Sequence, residues 1–112
     1  MQFMLFICVD PGLQLSSEDK AALPGEVEEW ATDLADRGIR LMGHVFEPVA
    51  RAKTIRRRND DLQITDGPVN EADEPIAGFN LLECRTPEEA VEVSATHPMA
   101  KHGSLELRPI AA

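Results

Sequence analysis

The segment Phe3-Met4-Leu5-Phe6-Ile7-Cys8-Val9 is apolar at every position and stops at Asp10-Pro11-Gly12. A run this short does not cross a bilayer as a helix, which takes about 20 apolar residues. Its Phe, Ile and Val content and the turn signal behind it describe a β-strand. Because the apolar positions are successive rather than alternate, that strand is covered on both faces. The remainder of the chain must therefore provide one cover, and either it or a second copy must provide the other.

Ser16 and Ser17 followed by Glu18 and Asp19 mark a helix start, and from Glu26 the residues Val27, Trp30, Ala31 and Leu34 keep the i, i+3, i+4, i+7 spacing of an amphipathic helix. Gly38 ends it. Pro24-Gly25 inside this region predicts either a kink or a short helical turn ahead of the main helix. Ile39 to Phe46 reads as a strand, with Ile39, Leu41 and Val45 on one face and Arg40, Met42, His44 and Phe46 on the other. Lys53 to Arg58 and Leu62 to Thr65 are extended runs joined by Asn59-Asp60-Asp61, a hairpin turn that predicts a meander. From Asp66-Gly67-Pro68 to Glu74-Pro75 the chain is polar and acidic, a loop of about ten residues and long enough to carry function.

Ile76 to Cys84 is the next strand. Thr86-Pro87-Glu88-Glu89 combines a threonine N-cap, proline at the first helical position and glutamate three residues after the cap. That helix runs to about Thr96, where His97-Pro98 ends it. Leu105 and Leu107 then alternate with Glu106 and Arg108 in a last strand closing at Pro109.

The order strand, helix, strand, hairpin, strand, helix, strand defines an α+β fold: a ferredoxin-like split βαβ with an inserted β-hairpin, its antiparallel sheet carrying two helices on one face. The other face is left bare, so a homodimer with sheets packed face to face is expected. At 112 residues and 43% apolar content, residues 1–112 form a single domain.

Eleven Lys plus Arg against twenty Asp plus Glu give a formal charge of −9, which repels phosphate backbones and anionic lipid, so neither nucleic acid nor membrane is an expected partner. The apolar first run has no basic flank or small-residue cleavage pattern, which makes the cytoplasm the expected address. Cys8 and Cys84 lack C-x-x-C spacing and read as buried free thiols. No Gly-rich phosphate cradle, H-E-x-x-H or G-x-S-x-G is present, and three histidines without an i, i+4 pair do not suggest a metal, so no cofactor is expected.

At Asp66-Gly67-Pro68-Val69-Asn70-Glu71, and at Gly103-x-x-Glu106-x-Arg108-Pro109, the chain resembles the YCII-related proteins, in the branch named for an Asp-Gly-Pro-Phe motif. Val69 stands where that motif has phenylalanine. The resemblance spans the whole chain and implies a dimeric α+β barrel built from ferredoxin-like protomers. It also implies a small enzyme of the kind that dehydrochlorinates an aromatic ring, using a first-helix histidine and an aspartate from an Asp-Pro pair near the last strand. Here no histidine lies between Glu26 and Arg37, and His97-Pro98 stands in place of Asp-Pro. Members of this branch are also encoded beside alternative sigma factors, which implies an accessory role as the alternative.

The candidate catalytic residues are His44, Asp66 and His97. His44 shares a strand face with Met42 and Phe46 and is either an acid or base in a cavity or a core histidine held by one hydrogen bond. Asp66 either orients such a histidine or accepts backbone N–H bonds in its Gly-Pro turn. His97 either works on a proton, at the place where the relatives put their aspartate, or caps the helix before it. Glu106 and Arg108, on one strand face, and Glu71 in the acidic loop are the candidate ligand-binding residues, the first two being otherwise a surface ion pair. The basic run Arg51, Lys53, Arg56, Arg57 and Arg58 reads as a solvated edge. Two functions are carried forward: binding of a small polar or aromatic molecule in a cleft between sheet and helices, with a cofactor-free lyase or isomerase step, or protein binding through the acidic loop.

Overall fold

The apolar first strand occupies the interior of a sheet. The computed structural model describes residues 1–112 and runs β1 (Gln2–Cys8), α1 (Ser17–Asp36), β2 (Arg40–Val45), β3 (Lys53–Arg58), β4 (Asp61–Asp66), β5 (Ile76–Glu83), α2 (Pro87–Ala95) and β6 (Ser104–Pro109). Short 3-10 turns lie at Val49–Arg51 and Pro98–Lys101. β1 pairs antiparallel with β5 on one side and β6 on the other, and β2 adds to β5, giving the order β2-β5-β1-β6. This is the α+β, ferredoxin-like arrangement expected from the order of elements. No helix is long and apolar enough to cross a membrane.

Phe3 and Leu5 of β1 and Leu82 of β5 are buried against Trp30 and Leu34 of α1 and Ala90 and Val93 of α2, so both helices cover the same face. On the opposite face Met4, Phe6, Phe79 and Leu81 are only half-buried, and Met42 and Phe46 are exposed. β6 adds Glu106 opposite Phe6 and Arg108 opposite Met4 on that open side. The chain thus covers its first strand once. An apolar sheet face of this kind is the sort of surface that marks an interaction site.

The helix ends follow the local chemistry. Ser16 Oγ accepts the Asp19 N–H at 3.1 Å, satisfying one of the free donors at the start of α1. At the other end Gly38 takes φ +72, its N–H reaches the Ala35 carbonyl, and the Ile39 N–H reaches the Leu34 carbonyl at 2.8 Å. This Schellman closure sets the buried Leu34 and Ile39 at the hydrophobic contact the motif favours, which aims the chain into β2. Pro24 lies inside one continuous α1, so of the two expectations at this position the separate preceding turn does not form. It has no N–H to offer the Lys20 carbonyl, and Lys20 is exposed. In α2, Thr86 Oγ1 accepts the Glu89 N–H at 3.1 Å while the Glu89 carboxylate accepts the Arg85 N–H.

The sheet departs from the sequence reading in two ways. Arg40 pairs with Leu82 and Met42 with the next residue, Leu81, so Leu41 is an extra residue in β2. Such a bulge reverses the alternation, and Arg40 moves to the helix side while Met42 and His44 keep the open side. Secondly, β3 and β4 do not extend the main sheet as a meander but form a two-stranded sheet of their own. Asn59 and Asp60, with φ of 50 and 66, make a two-residue turn, so β4 begins at Asp61 and Asp66 belongs to the strand. Thr54 is the one buried residue of this hairpin, its hydroxyl donating to the Gly67 carbonyl at 2.8 Å. Ile55, Leu62 and Ile64 are exposed. The projecting hairpin helps raise the radius of gyration to 16.0 Å, against about 13 Å for a compact domain of this length.

Candidate functional site

α1 crosses the helix side of the sheet and leaves a cavity of about 580 Å³ toward the β2 edge. Leu23, Val27 and Trp30 of α1 form one wall, Ile7 and Met99 contribute elsewhere, and the polar lining comes from Arg40, Asn80 and His97. A largely apolar cavity of this size with a few convergent polar groups is the usual form of a small-molecule site.

The bulge in β2 brings Arg40 to this side, and its Nε donates to Asn80 Oδ1 at 2.7 Å. Asn80 is buried, in register with Leu5 of β1 and Gly43 of β2. A side chain at position 43 would put its Cβ 2.5 Å from Arg40 Nη2 and 2.8 Å from the Phe79 carbonyl oxygen. Glycine there is what lets the guanidinium lie against the strand.

His97 follows α2 and is buried. Its Nδ1 accepts the Met99 N–H at 3.0 Å, so the neutral ring carries its proton on Nε2, and Nε2 has no protein partner. The imidazole packs edge to face on Trp30. Trp30 is itself fixed, because Nε1 donates to the Val93 carbonyl at 3.2 Å and to Thr96 Oγ1 at 3.0 Å. Burial, and then the nearby Arg40 charge, push the His97 pKa down to about 4, so the ring is neutral across the physiological range. The cavity therefore presents a neutral imidazole N–H donor, a guanidinium and an amide inside apolar walls. This set can hold and polarise an oxygen of a bound molecule.

The expected site residues separate. His97 lines the cavity. His44 borders it at the edge strand, but its ring is turned to the open face, 5.9 Å from Phe79, which Phe46 also flanks at 5.7 Å. Asp66 lies on the hairpin, exposed and ion-paired across it with Lys53, and does not line the cavity. Glu106 and Arg108 stand on the open face with Nε and Oε2 3.9 Å apart, bordering a second hollow of about 670 Å³ with the 68–70 loop residues. Glu71 is exposed in the acidic loop and lines neither hollow. Ser104 Oγ donates to Glu74 Oε2 at 2.7 Å and ties that loop to β6.

No three His, Cys, Asp or Glu side chains are grouped to hold a metal ion. Cys84 is buried whereas Cys8 is half-buried, and desolvation pushes both thiols above their ordinary pKa, which disfavours nucleophilic thiolates. Sequence reasoning missed Trp30, Arg40 and Asn80 as site residues. A legible signal existed for Asn80, a polar residue in the middle of the apolar run Phe79 to Leu82.

Comparison with known proteins agrees with this architecture. A family model described as the YCII-related domain matches residues 1–112. An uncharacterized protein of Rhizobium meliloti (strain 1021) is 34% identical over 68 residues, which is 57% of this chain and 53% of that protein. The match thus spans about half the length of the curated relative. Among solved structures, the fold is shared with a 5-chloro-2-hydroxyhydroquinone dehydrochlorinase from Burkholderia phenoliruptrix AC1100, in complex with 2,5-dihydroxybenzoquinone. The TM-score is 0.53 at 14% identity, over 99% of this chain and 94% of that one.

Proposed function

The chain belongs to the YCII-related domain family, and on that premise we propose that the cavity between α1 and the sheet takes a small polar or aromatic molecule, and that His97 Nε2–H and Arg40 stabilise the negative oxygen formed when that molecule gives up a proton to water, in a cofactor-free step of the lyase or isomerase kind. The observation that carries this reading is His97 itself: a buried, neutral imidazole with Nδ1 fixed by the Met99 N–H, and Nε2 free in a cavity shared with Arg40. Removing a proton beside a carbonyl or ring carbon builds negative charge on an oxygen. A neutral Nε2–H donor and a guanidinium stabilise that charge where it forms. The dehydrochlorinase that shares the fold, seen with a quinone bound, supports small-molecule chemistry on this scaffold.

The same premise extends to assembly and branch. The bare sheet face carrying Met4, Phe6, Phe79 and Leu81 is assigned to a homodimer, in which Glu106, Arg108 and His44 face the partner rather than the cavity. Membership of the Asp-Gly-Pro-Phe branch is supported by the Asp66-Gly67-Pro68 turn, where Gly67 takes φ +99 and its N–H donates to the Ala52 carbonyl at 2.8 Å.

The test follows the Trp30 indole N–H, the His97 ring and the His44 ring by NMR during titration with hydroxybenzoquinones and small aromatic compounds, and then measures deuterium uptake from D2O into whichever compounds bind. Joint shifts at Trp30 and His97, with uptake lost in His97→Gln, are expected. Shifts confined to His44, or binding without exchange in every case, would refute the ligand site or the proton step respectively.

A further inference from the structure

We infer that the cavity selects an anion, with Arg40 a preset receptor for a carboxylate, phenolate or enolate oxygen on a small molecule. This deepens the reading above and rests on the cavity being a ligand site. The starting point is charge pairing. In a chain with twenty Asp plus Glu and eleven Lys plus Arg, carboxylates are plentiful, and Arg37, Arg51, Lys53, Arg85, Lys101 and Arg108 each pair with one. Arg40, half-buried in the cavity wall, pairs with none. The other unpaired cations, Lys20 and Arg56 to Arg58, lie near the start of α1 and on the hairpin, outside the cavity lining.

The side chain is also held still. Its single bond to the protein runs from Nε to the neutral Asn80 Oδ1. Of the five guanidinium N–H donors, those on Nη1 and Nη2 remain without a protein partner, and they supply the forked edge that grips a carboxylate with two parallel bonds. Asn80 fixes the group from one side, and the absence of a Cβ at Gly43 provides its bed. A receptor ordered before binding loses little conformational freedom when the ligand arrives.

The surroundings favour an anion over a neutral polar group. Trp30, Val27 and Met99 line the cavity with apolar surface, and an ion pair gains strength as the local dielectric falls. A partly desolvated guanidinium without a counter-charge is costly, and a ligand anion offsets that cost where a neutral amide does not. His97 Nε2–H provides a second donor in the same cavity.

The experiment compares benzoate with benzamide, which match in shape and differ in charge, by following the Trp30 indole N–H in wild type, Arg40→Gln, Arg40→Lys and Gly43→Ala. Benzoate is expected to bind at least about tenfold more tightly than benzamide, a preference lost in Arg40→Gln and partly kept in Arg40→Lys. Equal binding of the two probes to wild type, which needs no variant to fold, overturns the anion receptor while leaving the cavity reading intact. If neither probe moves the Trp30 signal, the cavity reading and this one fall together. Benzoate shifts confined to the hairpin arginines also overturn it.

Discussion

Trp30 and His97 meet edge to face, their ring centroids 4.6 Å apart and their planes inclined at 66°. One comes from the middle of α1 and the other lies two residues past the end of α2, so the ring environment of the histidine depends on how the two helices dock. The indole N–H, bonded to Val93 and Thr96, sets that docking.

Trp30→Phe keeps an aromatic edge against His97 but removes the indole donor. The Val93 carbonyl retains the Thr96 hydroxyl at 2.7 Å, whereas the cross-helix link is lost. A loss of about 1–3 kcal/mol is expected from urea unfolding, with the His97 resonances broadened or displaced.

Acid should destabilise the protein through His97. Between pH 6.5 and about 4 the unfolded chain binds a proton that the folded ring refuses, so stability is complete above that window and declines as pH falls through it. The total loss is about 3 kcal/mol. Urea unfolding at pH 7 and pH 4 checks it, with His97→Phe as the reference that lacks this component. An NMR titration in which His97 protonates near pH 6.5 would contradict the burial argument.

Gly43→Ala forces a Cβ against Arg40 Nη2 and the Phe79 carbonyl oxygen. Backbone cannot yield as a side chain can, so about 1–3 kcal/mol of destabilisation is expected in thermal or urea unfolding. Gly25→Ala, in α1 with nothing within 4 Å of the added Cβ, is the control and should be neutral or stabilising.

Asp60→Gly places glycine in the second of the two left-handed turn positions, where φ is 66. Asn-Gly is the favoured sequence for this turn, and the hairpin should gain about 1 kcal/mol. Amide exchange across β3 and β4 should slow, whereas the main unfolding midpoint should hardly move, since the hairpin is a separate sheet.

Much of the main sheet was legible because its signals are local. Gly38 stops α1, Thr86 starts α2, and the unbroken apolar run of β1 demands a central strand. The site was less legible for a physical reason. A single extra residue, Leu41, turns Arg40 from the open face to the helix face, and strand alternation read from sequence assumes no such insertion. Likewise nothing local in Lys53 to Thr65 distinguishes a hairpin that joins the sheet from one that stands apart. His97 was found because of its neighbour Pro98, but its pairing with Trp30 joins residues far apart in the chain.

The interior position of β1 also fixes an order of events. Its partners are residues 76–83 and 104–109, so the first strand made has to wait for nearly the whole chain before it can be sandwiched. The β3–β4 hairpin, closed by a two-residue turn, needs nothing beyond itself and can zip within about 1–10 μs. On the ribosome, therefore, the peripheral arm is available early, and a sticky apolar strand stays unprotected until β6 emerges. Chains cut before β6 are therefore expected to aggregate, because β1 precedes its last neighbour by nearly a hundred residues.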